Sequence, residues 1–308
     1  MKKWSFDIID ASENLKMEKF PVFETDRYIQ CKNNYAIRLI LRKGDELFGQ
    51  ISFTVHEDEL ISGYCASYGG FYLKSFPGTE VLRSFIEQSV VVARQVHCNK
   101  IIIRQHPEFI YPEITPWISV LLKEQGFAMC EMKINHHLDL NEESNFKKYK
   151  KGRHGNRLKH AEDFNLIEHS IDHWEEYFDF IKKCRDKKNY TLSLTKEQLK
   201  DQLDNLPDNH LFFALINIQD EVIARCISLI INDEVIYNFY PAHDPDYSMF
   251  SPYVVLLLHQ SKILKQRGFN YIDLGSSMQD SFVQNQLADF KSSVGGKVST
   301  KLNWIKSV

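Results

Sequence analysis

The stretch SPYVVLLLHQSKILKQRGFNYIDLG (251–275) contains a complete connection between two strands. It predicts a helix from Ser251 to Arg267, with Ser251 as N-cap and Pro252 in the first turn. Gly268 is expected to end this helix, and NYIDLG then has the apolar character of a buried strand. A helix between two strands is typical of a crossover between parallel strands, so the sequence predicts an α/β or α+β fold.

The residues on either side of this stretch extend the same pattern. Three apolar runs precede it, LFFALINI, EVIARCISLII and EVIYNFY, and they are typical of a meander of strands. A helix from about Ser281 to Ser293 follows, ending at Gly295-Gly296, and KVSTKLNWI is predicted as the last strand. Two helical segments, about 172–188 and 195–205, are predicted before the meander.

The first half of the chain has the same order of elements. AIRLILR, ELFGQISFTV and ELISGYC predict a meander, and a helix is expected from Thr79 to about Cys98. The strand IIIR (101–104) comes next, followed by a helix ISVLLKEQ that ends at Gly126. FAMCEMKINHHLDL is the predicted last strand of this half.

The two halves match at a nearly constant offset. Asn99 corresponds to Asn270 with an offset of 171, and Gly126 corresponds to Gly296 with an offset of 170. This agreement favours a duplicated domain. The predicted domains are 1–145 and 146–308.

Composition excludes several classes of protein. The 308 residues include 43% hydrophobic and 26% charged residues, which is typical of a globular protein. With only 13 Gly and 9 Pro, the chain has no G-x-G-x-x-G and no P-loop, so a dinucleotide-binding fold or a P-loop NTPase is not expected. A net charge of −3 gives no general attraction to DNA or to an anionic membrane.

Cysteine spacing and hydropathy indicate where the protein works. The six cysteines contain no C-x-x-C pair, so we expect reduced thiols. The start, MKKWSFDIIDASENL, lacks the apolar stretch of a signal peptide, and the aliphatic block 254–258 is too short to span a membrane. We therefore expect a cytoplasmic protein without a membrane span. Neither His136-His137 nor His169 with His173 has a third ligand at suitable spacing, so no metal site is predicted.

A basic segment lies between the two halves. Seven cations fall within thirteen residues: Lys147, Lys148, Lys150, Lys151, Arg153, Arg157 and Lys159. They could bind the phosphates of tRNA or of a nucleotide-linked substrate. The alternative is a solvated helix face, balanced by the nearby acidic residues Glu142, Glu143, Glu162 and Asp163.

The corner PAHDPDYSMFSPYVVLLL (241–258) is a candidate site for an anion or an acyl group. Strands that diverge beside a helix N-terminus present free N–H groups and the positive end of the helix dipole. Tyr240, His243, Asp244 and Asp246 are close enough in sequence to line such a site. The two aspartates and the histidine also suit an ordinary polar turn.

The segment LADFKSSVGG (287–296) contributes a second candidate group. Lys291 follows Phe290 and is expected near the carboxyl end of the YIDLG strand, where an ammonium could stabilise the oxyanion of an acyl transfer. The alternative is a surface lysine. Asp273 could face either the cleft or a neighbouring backbone, and we favour the structural role. Without a G-x-S-x-G motif, serine hydrolase chemistry is not expected.

Taken together, RHGNRLKHAEDFNL, the two-helix insert, the meander, SPYVVLLLHQSKILKQRGFNYIDLG and LADFKSSVGG resemble the FemABX-like branch of the GNAT acyltransferase superfamily. The resemblance implies two GNAT-like domains in tandem, each with a mixed, mostly antiparallel sheet flanked by helices. It also implies transfer of an acyl or aminoacyl group from acyl-CoA or aminoacyl-tRNA to a small-molecule or peptide amine, with tRNA as a candidate partner.

The resemblance assigns roles to particular residues. A Phe-Lys pair tied to activity in the aminoacyltransferases matches Phe290 and Lys291, and the basic helix that enters the second domain matches Arg153 and Arg157. We assign Phe290, Arg153 and Arg157 to substrate binding.

The superfamily's acyl-CoA pyrophosphate site corresponds to Phe250, Ser251 and Tyr253, which we assign to cofactor binding. This chain has SMFSPY in place of the glycine-rich loop of that site, so the usual manner of CoA binding is not expected. FPGTE at the equivalent corner of the first half also lacks the loop, which suggests a non-catalytic first domain.

Two hypotheses follow from these residues. In the first, an amine attacks a thioester or ester carbonyl, Lys291 stabilises the oxyanion, and Tyr240 or Asp273 moves protons. In the second, the chain is a non-catalytic ligand-binding protein that retains the duplicated fold. Since the duplication supplies its own internal pairing, a monomer is expected.

Overall fold

A computed structural model describes residues 3–10, 21–30, 36–142, 145, 161–187, 190–279 and 281–308. The chain forms two compact units: unit 1 comprises 1–134 and 299–308, and unit 2 comprises 135–298. This division differs from the predicted domains 1–145 and 146–308. The reason is pairing: the last ten residues complete the sheet of unit 1, while the end of the strand that begins at Ala128 pairs within unit 2.

Unit 1 is built on one mixed sheet. Its strands are β1 (Trp4–Asp10), β2 (Ala36–Lys43), β3 (Glu46–His56), β4 (Glu59–Ser62), β5 (Tyr72–Leu73), β6 (Lys100–Arg104), the first part of β7 (Ala128–Asp139) and most of β15 (Lys297–Ser307). Its helices are α1 (Asp26–Gln30), α2 (Thr79–Gln95) and α3 (Thr115–Glu124). The strand order is β1-β2-β3-β4-β6-β15-β7, and β5 pairs with β3. Within the described part of this unit, β4 and β6 run parallel to each other.

The core of unit 1 lies where α2 and α3 pack against this sheet. The buried face of α2 carries Leu82, Phe85, Ile86 and Val92 at spacings of three, one and six, which lie along one side of a helix. Gly126, with φ of +81°, follows α3 and allows the chain to turn into β7. The predicted helices of this half are therefore confirmed.

Unit 2 repeats this architecture and adds an insert of two helices. Its further strands are β8 (Asn165–His169), β9 (His210–Ile216), β10 (Val222–Ile230), β11 (Val235–His243), β12 (Tyr271–Ser276), β13 (Met278–Gln279) and β14 (Phe282–Val283). Its helices are α4 (Trp174–Asp186), α5 (Lys196–Asn205), α6 (Pro252–Gln266) and α7 (Asn285–Ser293). The strand order is β7-β12-β11-β10-β9-β8, and β13 pairs with β14 as a separate hairpin.

The stretch 251–275 folds as predicted, with one difference at its start. Helix α6 begins at Pro252 and ends before Gly268, and it buries Val254, Val255, Leu256 and Leu257 in succession, so it is covered on most sides. Ser251 occupies the N-cap position in the left-handed region, with φ of +51°, and its side chain makes no capping hydrogen bond. Ser251 is therefore the N-cap residue as predicted, but this backbone geometry does not aim its hydroxyl at the helix amides.

The order of elements supports the predicted duplication. In each half of the chain a long helix, α2 or α6, leads into a strand that runs parallel to an earlier strand, β6 beside β4 and β12 beside β11. A shorter helix, α3 or α7, then leads into a long last strand, β7 or β15. No helix in the described part of the chain is both long and apolar enough to cross a membrane.

Candidate active site

The parallel strands β11 and β12 separate at the centre of unit 2. They pair over three positions only, from Val235 opposite Tyr271 to Tyr237 opposite Asp273. Beyond that point the two strands line opposite sides of a cavity of about 1260 Å³. A crevice outside the carboxyl ends of parallel strands is a common place for a ligand in a mixed sheet.

The cavity is lined by several elements of unit 2. They are the end of α4, residues 190–191, the second half of β11, the start of α6, the end of β12, the β13–β14 hairpin and α7. Among the described lining residues, the side chains with a permanent charge are Arg185 and Lys291, and no lining residue is Asp or Glu. The described wall therefore favours an anionic ligand or negative charge that develops during a reaction.

Lys291 lies where the sequence predicted, at the carboxyl end of β12. Its side chain is buried, with 6% exposed, so it is not the surface lysine of the alternative interpretation. The Nζ donates to the carbonyl oxygens of Gly275 at 2.9 Å and of Ser276 at 2.8 Å. These two contacts hold an ammonium group at the wall of the cavity.

A bulge in β12 presents those carbonyls to the lysine. Opposite β7, the register shifts between Asp273 and Gly275, so Leu274 has no partner position in the ladder. Gly275 has φ of +74°, and a Cβ on it would lie 3.3 Å from the ring of Tyr237. A residue without a side chain is therefore needed at this point of the strand.

Asp273 stabilises the bulge from inside the sheet. Its Oδ1 accepts hydrogen bonds from Asn135 Nδ2 at 2.7 Å and from the backbone N–H of Gly275 at 2.8 Å. The carboxylate is almost completely buried and is not among the described residues that line the cavity. These contacts are structural, and the predicted role of Asp273 in proton transfer stays a prediction.

Tyr240, the other predicted proton carrier, points away from the cavity. Its hydroxyl lies 2.6 Å from Ser193 Oγ and accepts the backbone N–H of Leu194 at 2.9 Å, and burial raises its pKa. The tyrosine fastens the chain between α4 and α5 to the sheet. It is not among the described lining residues, because its side chain lies on the face of β11 that the two insert helices, α4 and α5, cover.

The start of α6 is less suited to a pyrophosphate than the resemblance implies. The N–H of Ser251 donates to Ser248 O, the N–H groups of Val254 and Val255 both donate to Ser251 O, and Pro252 has no N–H. Anion sites at helix N-termini depend on free N–H groups. Most amides that would cradle a phosphate are therefore already used within the chain.

The remaining predicted residues fall into three groups. Ser251, Tyr253 and Phe290 line the cavity, and the rings of Tyr253 and Phe290 are 5.9 Å apart. Phe250 packs instead on Phe164, with ring centroids 5.7 Å apart. Arg153 and Arg157, like the rest of the basic segment from 146 to 160, lie outside the described residues.

Sequence reasoning missed two side chains of the cavity wall. Arg185, at the end of α4, lies over the ring of Tyr240 at 5.2 Å and donates to Thr191 O at 3.4 Å. Asn238 lies where β11 leaves β12, and its side chain is held by Gln260 and Ser228. No local motif marked either residue. Among the described residues, no group of three or more His, Cys, Asp or Glu could hold a metal ion.

Comparison with known proteins shows which families and solved structures this chain resembles. The sequence-family model described as the acetyltransferase (GNAT) domain matches residues 146–291. The solved structure of FemX is similar, with a TM-score of 0.70, 12% identity, and 95% of this chain and 94% of that chain covered. No curated protein matches the sequence.

Two further solved structures share the architecture. L-PGS from Bacillus licheniformis has a TM-score of 0.54 and 12% identity, with 85% of this chain and 84% of that chain covered. A tandem GNAT protein from the clavulanic acid biosynthesis pathway has a TM-score of 0.53 and 9% identity, with 99% and 98% covered. Residues 146–291 therefore match the GNAT acetyltransferase domain, and the chain shares the fold of FemX and of the tandem GNAT protein.

Proposed function

We propose that this protein transfers an acyl or aminoacyl group from an activated donor to an amine, and that the reaction takes place in the cavity of unit 2. The observation that carries the proposal is the buried Lys291 ammonium, which Gly275 O and Ser276 O hold at the cavity wall. An amine that attacks an ester or thioester carbonyl creates a negative oxygen in the tetrahedral intermediate. A cation that is already in place stabilises this oxygen with little reorganisation.

The start of α6 favours an aminoacyl ester, such as aminoacyl-tRNA, over acyl-CoA as the donor. At the start of α6, the N–H of Ser251 donates to Ser248 O, that of Val254 donates to Ser251 O, and Pro252 has no N–H to offer a CoA pyrophosphate. Since free N–H groups at a helix start are the usual source of phosphate affinity, a donor held there by its pyrophosphate would bind weakly. The basic segment 146–160 is available in the sequence to bind tRNA phosphates instead.

Arg185 supports an acceptor that carries an anionic group beside its amine. Its guanidinium is fixed over the ring of Tyr240, and the described lining residues include no carboxylate to neutralise it. Guanidinium groups bind carboxylates and phosphates through paired hydrogen bonds. An amino acid, a peptide with a free carboxylate or a phosphorylated amine fits this description.

The test is a donor comparison with the purified full chain. Labelled aminoacyl-tRNA and labelled acetyl-CoA are each incubated with a panel of amino acids, peptides and amino sugars, and the labelled amide is quantified. We expect transfer from aminoacyl-tRNA, and a loss of about 10²–10³ in kcat for Lys291→Met. The matched control is Lys265→Met, which removes an exposed lysine from the last turn of α6.

The possible outcomes separate the proposal from its rivals. Transfer from acetyl-CoA alone would overturn the choice of donor while keeping the reaction class. Equal turnover of Lys291→Met and Lys265→Met would overturn the role of Lys291. Binding of either donor without transfer to any amine would support the non-catalytic ligand-binding protein.

A further inference from the structure

We propose that His136 is a positioning residue for Lys291, and this proposal rests on the function proposed above. His136 belongs to β7, where it pairs opposite Gly275, and 1% of it is exposed. Its Nδ1 lies 3.1 Å from Ser277 Oγ, and its Nε2 lies 3.5 Å from Ser292 Oγ. The imidazole therefore bridges the turn after β12 to helix α7.

The two serines that His136 joins are the chain neighbours of the groups that hold the ammonium. Ser277 follows Ser276, whose carbonyl accepts from Lys291 Nζ, and Ser292 follows Lys291 itself. A shift of either element would change the distance between the ammonium and its two carbonyls. Because His136 contacts both elements, it fixes that distance from behind the cavity wall.

The imidazole is suited to this task because it is neutral. Burial and the neighbouring Lys291 ammonium lower the pKa of His136 to about 4. A neutral imidazole has one N–H donor and one acceptor nitrogen, and a serine hydroxyl can complement either. The bridge is therefore satisfied in both tautomers, and it adds no second positive charge beside Lys291 at neutral pH.

The adjacent Asn135 holds the other side of the same bulge. It donates to Asp273 Oδ1, and that oxygen also accepts the N–H of Gly275. Two consecutive residues of β7 thus fix the two ends of the segment whose carbonyls bind Lys291. Neither residue lies among the described residues that line the cavity, so each acts through another group.

His137 provides a matched control on the same strand. It is also buried, with 7% exposed, and burial together with Lys297 lowers its pKa to about 4. As the next residue along β7 it points to the opposite face of the sheet, and its ring lies 5.8 Å from that of Tyr271. Replacing it removes a buried histidine without touching the bridge to α7.

The experiment measures the reactivity of Lys291, so it needs no substrate. The full chain is treated with limiting acetic anhydride at neutral pH, and mass spectrometry gives the acetylation rate of Lys291 relative to exposed lysines. We expect His136→Leu to raise that relative rate about fivefold or more, because the ammonium is no longer held against both carbonyls. His136→Asn can keep the contact to Ser277 and should give a smaller increase. His137→Leu should leave the rate at the wild-type value.

An unchanged Lys291 rate in His136→Leu, or an equal increase in His137→Leu, would overturn the proposal. If His136→Leu does not fold, Ser277→Ala removes the shorter contact of the bridge and must itself raise the rate. In the transfer assay, the same variants should lower kcat and leave KM near the wild-type value. A changed Lys291 rate in a protein that transfers no acyl group would contradict the proposed function but leave the positioning role intact.

Discussion

Each unit has a corner, which is the point where two parallel strands of its sheet separate. The corner of unit 2 contains a cavity, and the corner of unit 1 is filled by backbone. In unit 2, β11 and β12 separate after three paired positions and a large cavity lies between them. In unit 1, β4 and β6 pair over four positions, and the chain after β4 then turns back into the gap. The N–H of Gly69 donates to Arg104 O at 2.7 Å, and the N–H of Gly70 donates to Ser62 Oγ at 2.7 Å.

Glycines make the filled corner of unit 1 possible. A Cβ on Gly69 would lie 2.6 Å from the backbone nitrogen of Gly63, a distance at which no side chain fits. The backbone itself therefore occupies the place that a ligand would take in unit 2. The comparison indicates that one architecture yields either a packed corner or a binding site, depending on whether the loop after the first parallel strand folds inward. The proposed transfer reaction belongs to unit 2 for that reason.

The largest effect is expected from a buried acid near the filled corner. Glu24 is 3% exposed, accepts the N–H of Ser52 at 2.9 Å and has its pKa raised by burial from 4.5 to about 8, even though Arg38 acts in the opposite direction. Between these two pH values the folded protein keeps a proton that the unfolded chain has lost. The resulting stability is complete below pH 4.5 and lost by about pH 8, so the free energy of unfolding falls as pH rises, by up to about 1.4 kcal/mol per pH unit.

Glu24→Gln should remove that slope, since the amide keeps an oxygen for Ser52 and does not titrate. Urea unfolding at pH 5, 6, 7 and 8 measures it. A variant that retains the wild-type slope would show that Glu24 does not carry an extra proton in the folded state.

The next effect compares one glycine from each corner. Gly69→Ala should lower the free energy of unfolding by about 3 kcal/mol, because its Cβ meets backbone atoms that cannot move independently. Gly275→Ala should cost about 1–2 kcal/mol, because its φ is +74° but the nearest obstacle is the side chain of Tyr237 beside an open cavity. Urea unfolding measures both variants. A larger loss for Gly275→Ala than for Gly69→Ala would contradict the view that only unit 1 has a closed corner.

The smallest effect concerns the insert at the open corner. Tyr240→Phe removes the contacts to Ser193 and Leu194 and should lower the free energy of unfolding by about 1–2 kcal/mol. Its kcat should stay close to the wild-type value, because the hydroxyl lies outside the cavity. The donor assay and urea unfolding together measure these quantities. A fall in kcat by orders of magnitude without a loss of stability would restore the proton-transfer role predicted from the sequence.

The elements of the fold were largely predictable because their signals are local. Apolar runs predicted the meander strands, and Gly126 and Gly268 correctly ended two helices. Strand β1 was missed because its apolar residues alternate with Ser5 and Asp7 inside a stretch that begins with lysines. The division into units was missed because strand pairing depends on partners far away in sequence, as when Trp304 lies opposite Ile103.

The candidate site was predictable in part, because the elements that carry it have local signals whereas the contacts within it join distant residues. Lys291 could be placed near the end of β12 because the helix and strand before it were both recognisable. The contacts that give it a role come from Gly275 and Ser276, which follow a bulge at Leu274 that no periodicity reveals. His136 was considered only as a metal ligand, since its bridge to Ser277 and Ser292 joins residues 141 and 156 positions away.

The position of β15 has a consequence for the order of folding during synthesis. Trp304, on this strand, donates through Nε1 to Gln105 Oε1 at 2.7 Å, across 199 positions of the chain. At ribosomal speeds, about 10–40 seconds separate the synthesis of these two residues. During that interval β6 has an uncovered edge, which is the kind of surface that recruits other strands. Unit 1 begins first and is completed last, so nascent chains are most exposed to misassociation while unit 2 is being made.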